Sequence, residues 1–554
     1  MKHTIDFQPK LFTALKNYDR RKFTADLMAG IIVGIVALPL AIAFGIASGV
    51  SPEKGLITAI LGGFIVSFLG GSNVQIGGPT GAFIVIVAGI ISQYGIEGLA
   101  IATVMAGIIL VLLGLFKLGV VIKFIPYPII VGFTAGIALT IFSTQIKDLF
   151  GLRIDGAVPE DFIGKWAVYF QHFDTTNLWA LGIGLVSILI ILLTPKVSRK
   201  IPGSLAAIIL VTVASYLLKR YCGIDTIETI GDRYSINPAI PAPAGFSFNL
   251  ETIRGLLPPA FTIAMLGAIE SLLSATVADG VTGDRHNSNT ELIAQGAANI
   301  VTPLFGGIPA TGAIARTAAN IKNGGRTPVA GMVHSITLVI VLVVLMPYAG
   351  MIPMPTIAAI LFVVAYNMCQ WRTFLQLVKT APKSDILVLV VTFVLTVLFD
   401  LVVAIEIGMI LACLLFIKRM SEETKAESWV YTDDDTVAVN ENLRKLPAEI
   451  RVYEVSGPLF FGASDAIEHI VVEESAKCLV LRMRAVPALD STAMNALTAL
   501  TKTCESKGVT IVFSHVNEQP MKVMKKAGFV ALAGEENFCP NITAALERAE
   551  EIIK

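Results

Sequence analysis

The sequence predicts an all-α polytopic membrane domain followed by a small α/β domain, and three observations support this. Apolar stretches recur from about residue 26 to about residue 417, many of them near the roughly 20 residues that a helix needs to cross a bilayer. The chain of 554 residues is 54% hydrophobic and only 15% charged, whereas soluble domains carry about 25% charged residues. After about Ser421 the composition becomes polar and acidic.

Fourteen apolar segments are predicted in the first region. They begin near residues 26, 54, 79, 98, 124, 177, 202, 256, 289, 310, 328, 352, 384 and 400. The segments from 79 and 310 are short, as expected of broken helices, and such breaks must line a protected cavity. With the N-terminus in the cytoplasm, Lys and Arg collect in the cytoplasmic loops, in agreement with the positive-inside rule. We therefore expect a multi-pass protein of a bacterial inner (plasma) membrane with both termini in the cytoplasm.

A short motif occurs in both halves of this region. Residues 78–82 read Gly-Pro-Thr-Gly-Ala and residues 309–313 read Pro-Ala-Thr-Gly-Ala, each after a double glycine. Proline is tolerated in the first turn of a helix, so both motifs predict helix N-termini. The free N–H groups and the dipole of a helix N-terminus favour anions. Thr80 and Thr311 add hydroxyl donors, and the pair therefore indicates an anion site.

The positions of the motifs indicate an inverted repeat. Thr80 and Thr311 are 231 residues apart, and Ile-Pro-Tyr-Pro at 125–128 precedes Ile-Pro-Met-Pro at 352–355 by 227 residues. Two unrelated motifs at nearly one offset favour two repeats of seven segments, and an odd number inverts the second copy. Inverted repeats with broken helices are typical of transporters. The alternative is that these glycines and prolines only assist helix packing, which does not explain the matching positions.

Glu270 and Arg316 are charged residues within predicted spans. A carboxylate at the bilayer centre costs roughly 2.5–3.5 kcal/mol, so Glu270 is a functional candidate. We expect it to couple transport to a proton or another cation, with Ser274 one turn further on; the alternative is a structural ion pair or a hydrogen bond to broken-helix backbone. Arg316 attracts the substrate in one interpretation, and in another it neutralises Glu270 or extends to the cytoplasmic edge. Phe83 either walls the site or packs in the core.

The C-terminal region predicts alternating strands and helices. Ile450–Val455, Cys478–Arg482 and Thr510–Phe513 are predicted strands, and Asp490–Ser506 and Gln519–Ala527 are predicted helices, a pattern typical of an α/β domain. Asp490 and Ser491 precede the first helix, as expected of a helix cap; the alternative is a phosphorylated or partner-binding switch.

The predicted divisions are a cytoplasmic N-terminal segment (1–25), a first transmembrane repeat (26–219), an extracytoplasmic connection (220–255), a second repeat (256–418), a linker (419–435) and the C-terminal domain (436–554). The 42 basic and 42 acidic residues cancel, which argues against a nucleic-acid partner. Six scattered cysteines without CxxC pairs argue against a zinc framework. Without a Walker A lysine, nucleophile elbow or dinucleotide fingerprint, we expect neither an enzyme nor a cofactor.

Several of these stretches resemble the SulP (sulfate permease) family, also called solute carrier family 26. They are Asp-Leu-Met-Ala-Gly-Ile-Ile-Val-Gly at 26–34 with Pro39, Gly78-Pro79-Thr80, Gln-Ile-Lys-Asp at 145–148, and Ala315-Arg316. The C-terminal region is similar to the STAS domain of that family, through Gly-Pro-Leu-Phe-Phe at 457–461 and Asp490-Ser491-Thr492. The resemblance covers nearly the whole chain.

The resemblance implies a uracil-permease-like fold of core and gate domains, seven-plus-seven inverted repeats, an elevator movement and a homodimer. It places the anion between the N-termini of segments three and ten, at Thr80, Gly81, Ala82, Thr311, Gly312 and Ala313, and matches Arg316 to a basic position near the anion in several relatives. Glu270 falls on the position used for cation coupling. A sodium-coupled bicarbonate branch has Asp there, so Glu270 favours protons over sodium.

The resemblance is greatest to a bacterial C4-dicarboxylate branch, at residues 264–272 and 306–320, although Pro309 and Gly312 depart from it. The substrate therefore stays open among dicarboxylate, sulfate and bicarbonate. We expect a proton-coupled symporter; the alternatives are an uncoupled anion exchanger or channel, a sodium-coupled bicarbonate symporter, a nucleobase permease, which Arg316 disfavours, and a membrane sensor. Related STAS-like domains imply that Ser491 is regulatory, by phosphorylation or through a cytoplasmic partner.

Overall fold

The computed structural model describes residues 7–554 apart from 17, 121–124, 155, 157, 160, 198–200, 238, 240, 246–249, 400, 429–445, 448 and 473–474. The chain divides into two compact units, Met1–Met409 and Ile410–Lys554. The first unit is almost wholly helical and the second is an α/β domain. The predicted fold class is thereby confirmed, while the predicted domain limits stay a prediction.

The first unit contains sixteen α-helices among its described residues, and a seventeenth spans the division between the two units. They are α1 (Lys10–Leu15), α2 (Arg20–Ala47), α3 (Pro52–Leu69), α4 (Ile84–Leu115), α5 (Tyr127–Phe150), α6 (Phe162–Gln171), α7 (Leu178–Val197), α8 (Gly203–Cys222), α9 (Ile230–Arg233), α10 (Leu250–Thr282), α11 (Ser288–Leu304), α12 (Ile314–Lys322), α13 (Pro328–Ala349), α14 (Met354–Cys369), α15 (Trp371–Thr380), α16 (Lys383–Leu398) and α17 (Leu401–Glu422).

Nine helical stretches in the described part of the chain are long and apolar enough to cross a membrane. The segments predicted from 79 and 98 lie on the two helical stretches of α4, which meet at a kink where Gly95 (φ 70°, ψ −176°) departs from helical geometry. A positive φ suits glycine, which has no Cβ to clash. Helices α11, α12 and α16 are shorter than the nine. The total of fourteen spans therefore stays a prediction.

The long helices of the first unit form two groups. Helices α2, α3, α4, α10, α11, α12 and α13 pack mainly on one another, and α5, α7, α8, α14 and α16 form the second group. Small residues allow close approach, since a Cβ on Gly107 or on Gly296 would lie 2.7 Å or 2.5 Å from the carbonyl oxygen of the other. These groups correspond to the expected core and gate domains.

Two short strands in the first unit depart from the predicted all-α architecture. Gly77–Gly78 (β1) pairs antiparallel with Thr311–Gly312 (β2), with Gly78 opposite Thr311. One residue further along this register, Pro79 would lie opposite Ala310, and these two are separated by the same 231 residues as Thr80 and Thr311. The register is thus centred on equivalent positions of the two halves, as an inverted repeat requires.

The second unit is a five-stranded sheet with helices on both faces. Its elements are β3 (Lys425–Ser428), β4 (Ile450–Ser456), α18 (Asp465–Glu468), β5 (Cys478–Ala485), α19 (Ser491–Ser506), β6 (Thr510–Ser514), α20 (Glu518–Lys526), α21 (Phe529–Ala533), β7 (Phe538–Cys539) and α22 (Ile542–Ile553). The strands lie in chain order, with β3 antiparallel to β4 and the others parallel. The predicted strands and helices are present. Strand β3 lies where the sequence predicted a linker.

Alternation along the strands divides the core of the second unit into two layers. Leu479 and Leu481 face α19, whereas Cys478 and Val480 face α22. This period of two is the pleat of a strand that is buried on both faces.

Candidate anion-binding site

The structure brings the two predicted motifs together beside α10 and α12. The chain that leads into the first motif is held by α12 in two places: the amide of Ile76 donates to Thr317 Oγ1 at 3.1 Å, and Asn320 Nδ2 donates to the carbonyl of Val74 at 2.9 Å. The amide of Ala313, which precedes α12, donates to the carbonyl of Ile76 at 2.9 Å. The first motif is therefore anchored to the helix that the second motif begins.

The first motif forms a helix N-terminus with a carboxylate beside it. A 3₁₀ turn, Gly81–Phe83, follows Thr80 and leads into α4. The Thr80 hydroxyl donates to Glu270 Oε2 at 2.7 Å, and both side chains remain partly exposed. The first bond of the turn runs from the amide of Phe83 to the carbonyl of Thr80, so the amides of Gly81 and Ala82 have no partner within the turn. Three donors and one carboxylate thus converge here.

The second motif makes different contacts. Thr311 lies in β2, fully buried, and its hydroxyl donates to the carbonyl of Gly267 at 2.9 Å. Helix α12 begins two residues after Gly312, with Ala313 as its N-cap. Both threonine hydroxyls therefore reach α10, one at Gly267 and one at Glu270 a turn later, but only the Thr80 hydroxyl lies at a partly exposed position.

Arg316 lies behind the first motif. The residue is 2% exposed, and its guanidinium donates to the carbonyls of Gly77, at 3.4 Å, and Pro79. No carboxylate in the described part of the chain lies within ion-pair distance of it. The side chain is therefore held by the main chain of the first motif and forms no direct ion pair with Glu270. It places a fixed positive charge next to the helix N-terminus of the first motif.

Phe83 and Ser274 are buried beside these groups. Phe83 packs against α10, with its Cζ 3.7 Å from the position of a Cβ on Gly267. The Ser274 hydroxyl donates to Thr317 Oγ1 at 3.3 Å. Ser274 therefore supports the anchoring hydrogen bonds of α12 and does not contact the Glu270 carboxylate.

The side of the site opposite α10 is apolar. A Cβ on Gly81 would lie 3.4 Å from Met368 Sδ, 3.5 Å from Phe44 Cε1 and 3.7 Å from Ile141 Cδ1. Met368 and Ile141 belong to α14 and α5, which are in the second group of helices, whereas the polar residues of the site belong to the first. The candidate site therefore lies where the two groups meet, as in transporters built from repeats.

Sequence reasoning missed several residues that support the site. A Cβ on Gly312 would lie 2.0 Å from Gln75 Nε2 and 3.1 Å from the Cα of Ser271, so glycine allows this approach without a shift of the Gln75 amide. Gln75 in turn donates to the fully buried Glu291 at 2.9 Å. A signal for Glu291 was present, because polar residues recur at 291, 295 and 299 within a segment of small and apolar residues.

Asp26, noted in the sequence only as part of a family motif, joins α2 to the start of α13. Its buried carboxylate accepts the amides of Arg326 (2.8 Å) and Thr327 (3.2 Å), the Thr327 hydroxyl, and the Tyr18 hydroxyl at 3.0 Å. Burial and the nearby Asp26 carboxylate raise the pKa of the Tyr18 phenol. Asp26 thus satisfies free N–H groups at a helix start.

In the second unit, Asp490 is the N-cap of α19. Its carboxylate accepts the amide of Ala493 and the amide of Phe461, each at 2.9 Å. Ser491, the first residue of the helix, is exposed. Burial raises the pKa of the Cys478 thiol to about 12 and of the Cys504 thiol to about 11, so both disfavour the reactive thiolate.

The sequence matches two known families in succession. Residues 23–392 match the sulfate permease family, and residues 444–545 match the STAS domain. The chain belongs to the sulfate permease family. The Bacillus subtilis protein named "Putative sulfate transporter YvdB" is 42% identical over 94% of this chain and 97% of its own length. The bicarbonate transporter BicA of Picosynechococcus is 32% identical over 86% of both chains.

Solved structures agree with this assignment. The transmembrane domain of a cyanobacterial bicarbonate transporter BicA superposes with a TM-score of 0.62 at 31% identity, covering 70% of this chain and 98% of that one. Murine Slc26a9 in its inward-facing state gives a TM-score of 0.88, covering 98% and 94%, but at 20% identity it supports the fold alone. The predicted family and STAS domain are confirmed. The site residues, the coupling ion, the homodimer, the cytoplasmic termini and the regulatory Ser491 stay predictions.

Proposed function

We propose that this protein is a secondary active transporter that carries a small inorganic anion, sulfate or bicarbonate, together with a proton. In this proposal the helix N-terminus at Gly81 and Ala82 holds the anion and Glu270 carries the proton. The observation that carries it is the hydrogen bond of 2.7 Å between Thr80 and Glu270. The names of YvdB and BicA as sulfate and bicarbonate transporters support the substrate class.

Competition at the first motif supplies the coupling. An ionised Glu270 accepts the hydrogen bond of the Thr80 hydroxyl, and its negative charge repels an anion bound to the amides of Gly81 and Ala82. At roughly 6 Å and an effective dielectric constant near 20, two unit charges repel by about 3 kcal/mol, which is roughly a hundredfold in affinity. Protonation of Glu270 removes this repulsion. By linkage, anion binding must then favour proton binding by the same factor.

Arg316 and the helix N-terminus supply the attraction. The guanidinium has no direct ion pair, so its charge is available to the anion even though its hydrogen bonds go to the carbonyls of Gly77 and Pro79. The amides of Gly81 and Ala82 supply directed donors in a region that excludes most water, where such interactions are strong. This charged site favours an anion over a neutral nucleobase.

An elevator movement suits the distribution of the site residues. Thr80, Glu270 and Arg316 all belong to the first group of helices, whereas Met368 and Ile141 contribute only an apolar wall from the second. If the first group moves past the second, the bound anion and proton travel with it.

An uptake panel in proteoliposomes tests this function. Sulfate, bicarbonate, succinate and fumarate are offered with an inward proton gradient, an inward sodium gradient or no gradient. We expect saturable uptake of sulfate or bicarbonate that the proton gradient increases and a protonophore suppresses. Preference for succinate or fumarate would show that the substrate is a dicarboxylate. Stimulation of uptake by the sodium gradient, or uptake that depends on neither gradient, would contradict proton coupling.

A further inference from the structure

Helix α11 carries a buried polar stripe that consists of Glu291, Gln295 and Asn299. Each side chain is at most 1% exposed. The spacing of four residues places all three on one face of the helix. Polar side chains at this depth are costly unless they are hydrogen-bonded, and the partners of the stripe lead to both halves of the candidate site.

Glu291 holds the chain that enters the first motif. Its Oε2 accepts the amide of Gly71 at 2.9 Å, and its Oε1 accepts Nε2 of Gln75 and Nε2 of Gln295, each at 2.9 Å. All three partners are N–H donors, so both carboxylate oxygens act as acceptors. Glu291 therefore fixes the orientation of both amide side chains and not merely their distance.

Asn299 holds the second motif itself. Its Oδ1 accepts the amide of Ala310 at 2.9 Å, and its Nδ2 donates to the carbonyl of the same residue at 2.7 Å. Ala310 immediately precedes β2. The two ends of the stripe, two turns apart on a single helix, thus hold the chain before the first motif and the second motif itself.

Gln75 lies between Glu291 and the second motif. Its Nε2 donates to Glu291 and lies so close to Gly312 that a Cβ there would be 2.0 Å away. The amide thus lies between the carboxylate and the β2 backbone. A rotation of this amide would therefore change its contact with the backbone of the second motif.

We propose that Glu291 and Asn299 are positioning residues that set the separation between the first and the second motif, and with it the affinity for the anion, without contacting the anion. The inference rests on the proposed function, in which those motifs hold the anion. Their described hydrogen bonds go to Gly71, Gln75, Gln295 and Ala310, none of which is a proposed anion ligand. Glu291 therefore acts on the second motif through Gln75, because its carboxylate orients the Gln75 amide that lies beside Gly312.

Saturation kinetics of the full chain in proteoliposomes test this role. Glu291→Gln keeps the shape of the side chain but allows the Gln75 and Gln295 amides to turn. We expect the KM for radiolabelled sulfate or bicarbonate to rise about tenfold, the loss expected from a hydrogen bond to a charged group, while Vmax stays within about twofold. The exchange variant Gln75→Glu/Glu291→Gln restores a carboxylate–amide pair and should recover most of the affinity. Glu406→Gln, on an exposed glutamate of α17, is the matched control.

Hydrogen–deuterium exchange on the same purified proteins gives a readout that does not depend on transport. Glu291→Gln should speed exchange in residues 71–83 and also in 308–316, and the control should alter neither. An unchanged KM, or faster exchange around only one of the two motifs, would overturn the proposal. If neither Glu291 variant folds, the proposal is also overturned, because the polar stripe is then required for folding of the protein. If the native protein shows no saturable uptake, the proposed function fails, and the exchange data alone decide whether the polar stripe sets the separation of the two motifs.

Discussion

Replacement of Glu270 by glutamine tests the coupling group with the smallest change in shape. The Thr80 hydroxyl, which lies 2.7 Å from Glu270 Oε2, can still donate to the carbonyl of the substituted side chain, but glutamine neither gains nor loses a proton. The repulsion of about 3 kcal/mol estimated at roughly 6 Å disappears at every pH. The variant should therefore bind anion with the affinity of the protonated native protein, up to roughly a hundredfold tighter than the native protein at alkaline pH.

Transport by this variant should lose its response to the proton gradient. One pH unit is worth about 1.4 kcal/mol for each proton moved, so one-to-one symport should accumulate the anion about tenfold at equilibrium when the membrane potential is clamped. Glu270→Gln should reduce this accumulation to about onefold while exchange of labelled for unlabelled anion continues.

The assay is the equilibrium uptake of radiolabelled sulfate or bicarbonate into proteoliposomes, with the potential clamped by potassium and valinomycin. Affinity is measured separately by calorimetry at acidic and alkaline pH. Glu406→Gln makes the same chemical change at an exposed position and should leave both measurements unchanged. Full gradient-driven accumulation by Glu270→Gln would show that the proton does not travel on this residue.

Three further substitutions probe the surroundings. Gly312→Ala places a Cβ 2.0 Å from Gln75 Nε2, and the strain of overpacking should lower uptake at least about tenfold. The control Gly89→Ala, whose Cβ would have no atom within 4 Å, should leave uptake unchanged, and equal uptake by the two variants would contradict the packing argument. Arg316→Lys keeps the charge but cannot bridge the carbonyls of Gly77 and Pro79 in the same way, so initial-rate measurements should show KM raised about tenfold, and an unchanged KM would mean that charge alone suffices. Asp490→Ala removes the acceptor for Ala493 and Phe461 and should lower the free energy of unfolding of the second unit by about 1–2 kcal/mol, measured by chemical denaturation, with the exposed Asp465→Ala as control.

The meeting of the two Thr-Gly-Ala motifs could be predicted because an inverted repeat places equivalent positions around one axis. Glu270 could be singled out as a candidate because a carboxylate within an apolar span is costly without a function. The strands and helices of the second unit followed from their alternating patterns. In each case the signal is either local or repeated in the sequence.

The contacts within the site could not be predicted from sequence. Strands β1 and β2 have two residues each, too few to show a period of two. Thr80 and Thr311 occupy matching motifs, yet one hydroxyl reaches a carboxylate and the other a main-chain carbonyl. The bond from Gln75 to Glu291 joins residues 216 positions apart, and no local pattern pairs such distant side chains. Strand β3 was missed because its sequence, Lys-Ala-Glu-Ser, is polar and typical of a linker.

The central claim is that one proton moves with each anion through the site at Thr80 and Glu270. The most direct measurement uses proteoliposomes that contain a pH-sensitive dye, with no initial pH gradient and a clamped potential. Addition of external sulfate should acidify the lumen in proportion to the sulfate taken up, and Glu270→Gln should abolish the acidification. Sulfate uptake by the native protein without a change in luminal pH would contradict the claim.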